Sequence, residues 1–286
     1  MSVARTRLFA AFLGATTLAA AVLAAGPTAD AVSTWAPESS AVIKPGVQMI
    51  TAGAQCTANF VFKDKSGNVY VGYAAHCAGT GSSSDTNGCT TKSLPLGTKV
   101  DFTTGTNLLS GGTTVGTGKL AYSSWRTMQR LHVTNANRCA YNDFALVKVD
   151  PASKSKVNPT VPVWGGPMSA ASTFLSKGSA IYTIGNSAMR TGNAVTKTGS
   201  VLARIGGGYA YEIQTSNPGI PGDSGSGFMD SRGRAAGVLS TINVGLGVTP
   251  VSNTMGNLYS ELVWAQKYSG IAGLYLAKGT RAFSAK

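Results

Sequence analysis

The chain of 286 residues is 43% hydrophobic and only 12% charged, against roughly 25% charged in an average globular protein, which excludes a disordered or fibrous chain. Lysine and arginine number 24 and aspartate and glutamate 11, a net charge of +13, but the positive charges are spread along the chain. Without a basic run interleaved with aromatics, this charge indicates a basic globular surface rather than nucleic-acid binding.

The N-terminal segment has the features of a secretory signal peptide. Arg5 and Arg7 precede the uncharged residues 8–25, and an Ala-x-Ala site ends at Ala31. A retained membrane anchor is the alternative, because this apolar segment approaches the length that spans a bilayer. The Ala-rich composition and the cleavage site favour removal of residues 1–31. We therefore expect a secreted, extracellular protein with no membrane association after signal removal.

The chain contains four cysteines: Cys56, Cys77, Cys89 and Cys139. An exported chain with an even number of cysteines is expected to form two disulfides, and three pairings are possible. Zinc binding is the alternative, but there is no Cys-x-x-Cys pair, and only His76 and His132 could assist. We expect no metal site and no cofactor.

Short apolar segments bounded by turn-forming residues predict β-strands along the chain. A first set comprises residues 59–62, 69–73, 99–102 and 144–149. A second set comprises residues 180–184, 200–205, 209–214, 227–229 and 235–240. The Gly/Ser/Thr-rich stretches 78–91 and 103–118 are predicted to be exposed loops. This pattern favours an all-β protein with two β units.

A proline-rich stretch, residues 150–172, has the composition of a linker between the two β units. We place the boundary near Pro159, with a polar lead and the first unit in residues 32–158. Residues 159–286 then hold the second unit, a C-terminal helix and a tail. The helix is predicted after Asn253 or Thr254 because five apolar residues share one helical face: Met255, Leu258, Tyr259, Leu262 and Val263.

A glycine-flanked serine, Ser224, is the candidate nucleophile. It lies in the segment Pro-Gly-Asp-Ser-Gly-Ser-Gly, residues 221–227, where a tight turn can expose the hydroxyl and direct backbone N–H groups at an oxyanion. An α/β-hydrolase needs a histidine after its serine, but both histidines precede Ser224. A subtilisin order needs an acid before the histidine, and Asp64 lies in a predicted surface turn. The remaining order is His, Asp, Ser.

His76 is the better candidate for the general base. It follows a predicted strand and precedes Cys77, whose disulfide could hold the imidazole, whereas His132 is expected to be a strand histidine on a polar face. Asp143 opens a run that is apolar on both faces, so its buried carboxylate would need hydrogen-bond donors. Three other aspartates lie in a Ser-rich loop, an ordinary strand and a strand end: Asp85, Asp101 and Asp150.

Four motifs together resemble the chymotrypsin-like serine protease family. They are Ala-Ala-His-Cys at 74–77, Asn-Asp-Phe-Ala-Leu at 142–146, Gly-Asp-Ser-Gly-Ser-Gly at 222–227 and Gly-Val-Leu-Ser at 237–240. The segment from Cys56 to Cys77 is similar to the secreted bacterial branch, and the resemblance covers about residues 48–266. It implies two antiparallel six-stranded β-barrels of chymotrypsin type with a C-terminal helix.

The resemblance also implies roles for individual residues. Ser224 would be the nucleophile, His76 the general base and then acid, and Asp143 the group that orients His76. The N–H groups of Gly222 and Ser224 would form the oxyanion hole. In the bacterial branch the cysteines matched by Cys56 and Cys77 are bridged, which leaves Cys89 and Cys139 for the second disulfide.

The expected pocket for the side chain before the cleaved bond lacks a carboxylate. Trypsin-like relatives have an aspartate six residues before the nucleophile, where this chain has Pro218. Glutamate-specific relatives have a histidine where it has Leu239, just before Ser240, which matches the serine beside the catalytic aspartate. Ile242 stands where a glycine usually admits aromatics. The resemblance therefore implies a shallow apolar pocket that accepts small or medium side chains.

One departure from the family concerns Asp223. No Arg or Lys is followed by an Ile-Val-Gly-Gly start, so activation by a new N-terminus paired with Asp223 is not expected, and Arg190 and Arg204 are candidate partners. The sequence predicts a secreted, monomeric serine endopeptidase that acts on polypeptides. The alternative is a catalytically weak or inactive protease-like module that binds proteins or anionic cell-wall polymers.

Overall fold

The computed structural model describes residues 1, 35–82, 85–190, 194–243 and 252–285. The chain divides into two compact units, Met1–Ser33 and Thr34–Lys286, and every element below belongs to the second. The predicted signal peptide, residues 1–31, lies outside the described residues apart from Met1. A search of the described residues for a helix long and apolar enough to cross a membrane finds none.

The described residues form fifteen strands and three α-helices. The strands are β1 Gln48–Thr51, β2 Ala54–Thr57, β3 Val61–Lys63, β4 Val69–Tyr73, β5 Lys99–Thr104, β6 Thr113–Ser123, β7 Ala145–Val149, β8 Ser169–Ala170, β9 Ala180–Gly185, β10 Val195–Ile205, β11 Ala210–Thr215, β12 Gly227–Asp230, β13 Arg234–Asn243, β14 Ser252–Asn257 and β15 Tyr275–Leu276. The helices are α1 Ser124–Arg130, α2 Ala136–Tyr141 and α3 Leu258–Tyr268.

The first sheet contains eight strands in the order β15-β3-β4-β7-β6-β5-β1-β2. Strands β2 and β3 follow each other in the chain but pair with different strands, β2 with β1 and β3 with β4. The Ala58 N–H donates to Val47 next to β1, whereas the Asn59 N–H donates to Gly72 in β4. The strand pairings alone describe an open sheet, and the continuous chain at Ala58 and Asn59 connects its β1 end to its β4 side.

The second sheet closes into the expected six-stranded antiparallel barrel. Its order is β12-β9-β10-β11-β14-β13, and β12 pairs with β13 to complete the circle. A short parallel strand, β8, adds to the outside of β13. Strands β1–β7 precede Pro159 and β8–β14 follow it, but β15 returns to the first sheet and pairs with β3.

The structure corrects three expectations about local elements. Residues 113–118, predicted to be loop, belong to the long strand β6, which pairs with both β5 and β7. Helices α1 and α2 were not predicted. Helix α3 begins at Leu258 after the N-cap Asn257, because Met255 is held in β14 by pairing with Tyr211 and Leu239.

Helix α3 therefore buries a different face from the one that was predicted. Tyr259 and Val263 are 40% and 45% exposed, while Leu262, Ala265 and Glu261 are buried. The helix contacts β13 and β14 of the barrel and also α1. Its buried leucines join the main apolar core, which extends through the first sheet, so α3 connects the two sheets near the loop that precedes β7.

Candidate active site

His76 is held in place by its neighbours in the chain. Strand β4 ends at Tyr73, and a 3₁₀ turn, Ala75–Ala78, places His76 immediately after it. The next residue, Cys77, is joined by a disulfide to Cys56 on β2. The imidazole is thus fixed at the junction of two strands of the first sheet, and its side chain is 27% exposed.

Asp143 lies just before β7 and is 3% exposed. Its Oδ1 accepts the backbone N–H of His76 at 2.8 Å, and its Oδ2 lies 2.6 Å from His76 Nδ1. The Ser240 hydroxyl from β13 donates to the same Oδ2 at 2.6 Å. The buried carboxylate has the donors that the sequence required, and because Nδ1 faces Asp143, Nε2 remains available for another partner.

The pKa values of the pair move in opposite directions. Burial alone would lower the pKa of His76, but the negative charge of Asp143 and its hydrogen bond raise it above the ordinary value. Burial would raise the pKa of Asp143, but the His76 charge and the hydrogen bonds from His76 and Ser240 hold it below its ordinary value. Asp143 therefore stays ionised to lower pH than an ordinary aspartate, and His76 keeps its proton to higher pH than an ordinary histidine.

The turn that carries Ser224 packs against the strand ends next to His76. The Thr57 N–H on β2 donates to the Ser224 carbonyl at 2.8 Å. The following residue, Gly225, has a φ of +88°, and a Cβ there would lie 2.6 Å from the Thr57 carbonyl oxygen and 2.9 Å from the Ala74 nitrogen. Only glycine permits this approach. The hydrogen bonds of the described residues do not include one from Ser224 Oγ to His76 Nε2.

The Gly222 N–H points away from Ser187, which contacts the opposite side of the same peptide. A trans peptide directs its N–H and C=O groups in opposite directions, and the Pro221 carbonyl in this peptide accepts a hydrogen bond from the Ser187 hydroxyl at 2.5 Å. Gly222 itself has a φ of +93°. Within the described part of the chain, no hydrogen bond uses the Gly222 N–H, so this donor is free.

The Ser224 N–H is oriented in the same way. The carbonyl of its peptide belongs to Asp223 and accepts the Ser226 N–H at 3.0 Å and the Ser226 hydroxyl at 2.6 Å. The Ser224 N–H also lacks a partner among the described residues. Two unpaired N–H groups in the turn that carries the Ser224 hydroxyl are donors of the kind that stabilise an oxyanion. Ser187 was not found from the sequence, because no motif marks it.

Asp223 is fully buried and is neutralised by two cations of the second barrel. Its Oδ2 lies 2.6 Å from Lys197 Nζ and 2.9 Å from Arg190 Nη2. Of the two candidate partners, Arg190 makes this contact, whereas Arg204 stacks on the Phe174 ring at 4.6 Å. Burial lowers the pKa of Lys197, and the Asp223 carboxylate opposes that shift.

Lys197 was missed by the sequence interpretation. Its side chain is only 2% exposed, and on β10 it alternates with the exposed Thr196 and Thr198. The alternation of side chains along a strand places it inside the barrel. This inward position is the signal that could have identified Lys197, and it explains how Asp223 is neutralised without a new N-terminus.

The expected pocket residues lie around β13. The Pro218 side chain carries no charge, and its carbonyl accepts from the Arg190 guanidinium at 2.8 Å. Asn253 connects the segment next to Pro218 with β13: its side chain accepts the Gly219 N–H at 2.8 Å and donates to the Thr241 carbonyl at 3.3 Å. Ser240 and Ile242 line a cleft of about 440 Å³.

The remaining candidate residues lie elsewhere. His132 is exposed in a turn after α1 with a φ of +48° rather than in a strand, so that expectation was wrong. The other aspartates each have local partners: Asp64 accepts from Asn68 and Tyr70, Asp85 from the Ser82 N–H, Asp101 pairs with Lys99, and Asp150 accepts from Thr117.

The four cysteines form the disulfides Cys56–Cys77 and Cys89–Cys139. The sulfurs of Cys56 and Cys77 lie within 4.8 Å of a His76 ring nitrogen, a grouping that could otherwise suggest a metal. A cysteine binds a metal as its thiolate. Because both sulfurs are bonded to each other, they do not provide a thiolate.

A scan against protein-family models finds no match to this sequence, and a search of curated proteins finds none. Among solved structures the chain is similar to Thermobifida fusca protease A, at 16% identity, a TM-score of 0.49 and coverage of 83% of this chain and 99% of that one. It is similar to Nocardiopsis protease at 19% identity, a TM-score of 0.46 and 82% and 98% coverage. Cellulomonas bogoriensis chymotrypsin matches at 19% identity, a TM-score of 0.47 and 82% and 98% coverage. All three solved structures are proteases by name, and each matches about four fifths of this chain.

Proposed function

We propose that this protein is a secreted serine endopeptidase in which Ser224, His76 and Asp143 form the catalytic triad. One observation supports this above all. The Asp143 carboxylate holds both His76 Nδ1 and the Ser240 hydroxyl at 2.6 Å, at the place where the first sheet meets the turn that carries Ser224. A base fixed by a buried carboxylate beside a hydroxyl and two free N–H groups is suited to acyl transfer.

Each residue has a defined step in this reaction. The Ser224 hydroxyl attacks the carbonyl carbon of the peptide bond while His76 Nε2 accepts its proton. The negative oxygen that results is stabilised by the N–H groups of Gly222 and Ser224. When the carbon–nitrogen bond breaks, the protonated His76 gives its proton to the leaving amine. Water, activated by His76, then releases the acyl group from Ser224.

The edge of β13 supports binding of an extended peptide. Residues 241–243 pair with β14 on one side. On the other side, pairing with β12 ends at Val238, and no described strand continues it. A substrate can add a strand there by main-chain hydrogen bonds. We infer a preference for small or medium apolar side chains before the cleaved bond, because Pro218 supplies no charge and Ile242 narrows the entrance.

Labelling with an active-site fluorophosphonate tests the catalytic assignment. The parent protein should be labelled and should cleave a protein substrate, and the matched variant Ser224→Ala should do neither. An unlabelled parent that is correctly folded, with both disulfides formed, would contradict the proposal. It would favour the alternative, a binding module attracted to anionic polymers by its charge of +13.

A peptide-library cleavage profile tests the substrate preference. We expect Ala, Val or Leu before the cleaved bond in the parent. The variant Ile242→Gly should admit Phe and Tyr, since removing the branched side chain widens the entrance. A dominant preference of the parent for Arg, Lys or Glu would contradict the proposed pocket without affecting the triad.

Export is proposed from the N-terminal sequence and from the disulfides, which persist in oxidising compartments. Expression of the full chain in a bacterial host with a matching export system, followed by N-terminal sequencing of the medium fraction, should give a protein that begins at Val32. Retention of residues 1–31 on a membrane-bound product would favour the anchor.

A further inference from the structure

A carboxyl group from helix α3 contacts the backbone of Asp143. Glu261 is 2% exposed, and its Oε1 accepts the Asp143 N–H at 3.0 Å. Its Oε2 is buried and has no hydrogen-bond partner among the described residues. A second carboxyl group thus lies directly behind the proposed triad, supplied by an element that the sequence motifs do not include.

The space for this carboxyl group depends on Gly256. A Cβ at Gly256 would lie 2.4 Å from Glu261 Oε1 and 3.2 Å from the Tyr141 carbonyl oxygen. Gly256 belongs to β14, and Tyr141 ends α2. The carboxyl group therefore occupies a slot between the barrel and the segment that leads into Asp143, where it can fix the position of that segment.

The charged groups of the surrounding elements do not pair with Glu261. In the neighbouring helices, Arg126 donates to the Ser93 and Leu94 carbonyls and Arg130 to the Tyr268 carbonyl. Arg138 donates to the Tyr209 hydroxyl. Burial is the main reason that the pKa of Tyr122 on β6 is raised, and the charge of Glu261 raises it further. The charge that acts on the Glu261 carboxyl group is the negative charge of Asp143.

These surroundings favour the protonated carboxylic acid. Burial raises the pKa of Glu261 well above its ordinary value, the negative charge of Asp143 raises it further, and the hydrogen bond from the Asp143 N–H opposes both. A neutral carboxylic acid can still accept a hydrogen bond through its carbonyl oxygen. It does so without placing a second negative charge beside Asp143.

We propose that Glu261 is a positioning residue for the triad, which holds the Asp143 backbone N–H through Oε1 so that the Asp143 carboxylate keeps its contacts with His76 and Ser240. This inference rests on the proposed function. It makes Glu261 a part of the active site that acts through Asp143 and does not touch the substrate.

Three variants test the role of Glu261 through kcat, KM and the titration of His76 by NMR. Glu261→Gln keeps a neutral acceptor of the same length. Glu261→Leu fills a similar volume without a hydrogen-bond acceptor. Glu261→Asp shortens the side chain by one methylene and so moves the carboxyl group away from the Asp143 N–H. The chain has only two histidines, so the exposed His132 provides an internal reference in every spectrum.

Glu261→Gln should keep kcat within about twofold of the parent and leave the His76 pKa unchanged, because no charge is lost. Glu261→Leu should lower kcat by roughly 10- to 100-fold with KM nearly constant, the size expected when a catalytic group is misplaced. The His76 pKa should fall in this variant, because the Asp143 charge and hydrogen bond that raise it are weakened.

Two outcomes would overturn the proposal. Parental kcat and His76 pKa in Glu261→Leu would show that the contact positions nothing, and a lowered His76 pKa in Glu261→Gln would show that Glu261 is charged. If Glu261→Leu does not fold, Glu261→Asp takes its place with the same criteria. The His76 titration needs no turnover, so it decides the role of Glu261 even if the parent is not labelled by fluorophosphonate and the proposed function fails.

Discussion

Replacing Lys197 by methionine tests how the turn that carries Ser224 is held. The Lys197 ammonium lies 2.6 Å from Asp223 Oδ2, and the two side chains are 2% and 0% exposed. Methionine has nearly the same length without the charge. The variant leaves the Asp223 carboxylate with Arg190 and the Ile220 N–H, which donate to the same oxygen at 2.9 and 3.2 Å.

Removal of one partner from a buried ion pair costs about 3–5 kcal/mol of the free energy of unfolding. Because Arg190 remains, we expect the lower end, about 3 kcal/mol. For a domain of this size that corresponds to a fall in Tm of roughly 6–12 °C. Since Asp223 joins Gly222 to Ser224, its displacement also disturbs the oxyanion donors, and losing one such donor lowers kcat by about 10²- to 10³-fold.

Calorimetry and steady-state kinetics measure both effects in Lys197→Met. The matched control is Lys99→Met, which removes a lysine whose side chain is 67% exposed and pairs with Asp101 at the surface, and it should change neither Tm nor kcat. The double variant Lys197→Met/Arg190→Met should lose more Tm than Lys197→Met, because the buried Asp223 carboxylate then has no cation beside it. A Lys197→Met variant with the Tm and kcat of the parent would refute the reasoning.

Three further predictions concern the triad and the second disulfide. His76→Ala should lower kcat by about 10³-fold or more because it removes the base, while His132→Ala should leave kcat unchanged; equal effects in the two variants would contradict the assignment. In a pH–rate profile, kcat/KM should rise with pH through a midpoint above the ordinary histidine value of 6.5, since Asp143 raises the His76 pKa and the neutral imidazole is the base. The raised His76 pKa also stabilises the fold, fully at pH values below the unfolded-state pKa, and this contribution is lost as the pH rises through the folded-state pKa. Unfolding free energies measured across that range should show the loss. A midpoint of the pH–rate profile below 6.5 would contradict both statements. Replacing Cys89 and Cys139 by serine removes a disulfide with a sequence separation of 50. Calorimetry should show that the free energy of unfolding falls by about 4 kcal/mol, the chain-entropy estimate. An unchanged Tm would show that this disulfide does not constrain the unfolded chain.

The strands that could be predicted from the sequence are those in which a run of apolar residues is itself buried. Strand β4 was predicted with its observed bounds, Val69–Tyr73, because five apolar or small residues lie between turn formers. Strand β6 begins in a Gly/Thr-rich segment, and its conformation is imposed by hydrogen bonds to β5 and β7. Local composition cannot show partners that are distant in the sequence.

The helix at the C-terminus shows the same limit. The predicted periodicity began at Met255, but Met255 is held in β14 between β11 and β13. Pairing on both sides outweighs a weak local preference for helix. The helix begins where that pairing ends, and the face that it buries includes Glu261, a residue that an apolar pattern counts as exposed.

The sequence by itself determined which residues can do chemistry. Both histidines precede Ser224, so residue order alone excludes the α/β-hydrolase arrangement, and the predicted surface turn around Asp64 disfavours the subtilisin order. The tertiary structure decided what neutralises and orients these groups: Lys197 beside Asp223, Ser187 behind the Gly222 peptide and Glu261 behind Asp143. Such partners are brought together only when the sheets close and α3 docks. They belong to no local motif, because a buried charge needs a partner nearby in space and not nearby in sequence.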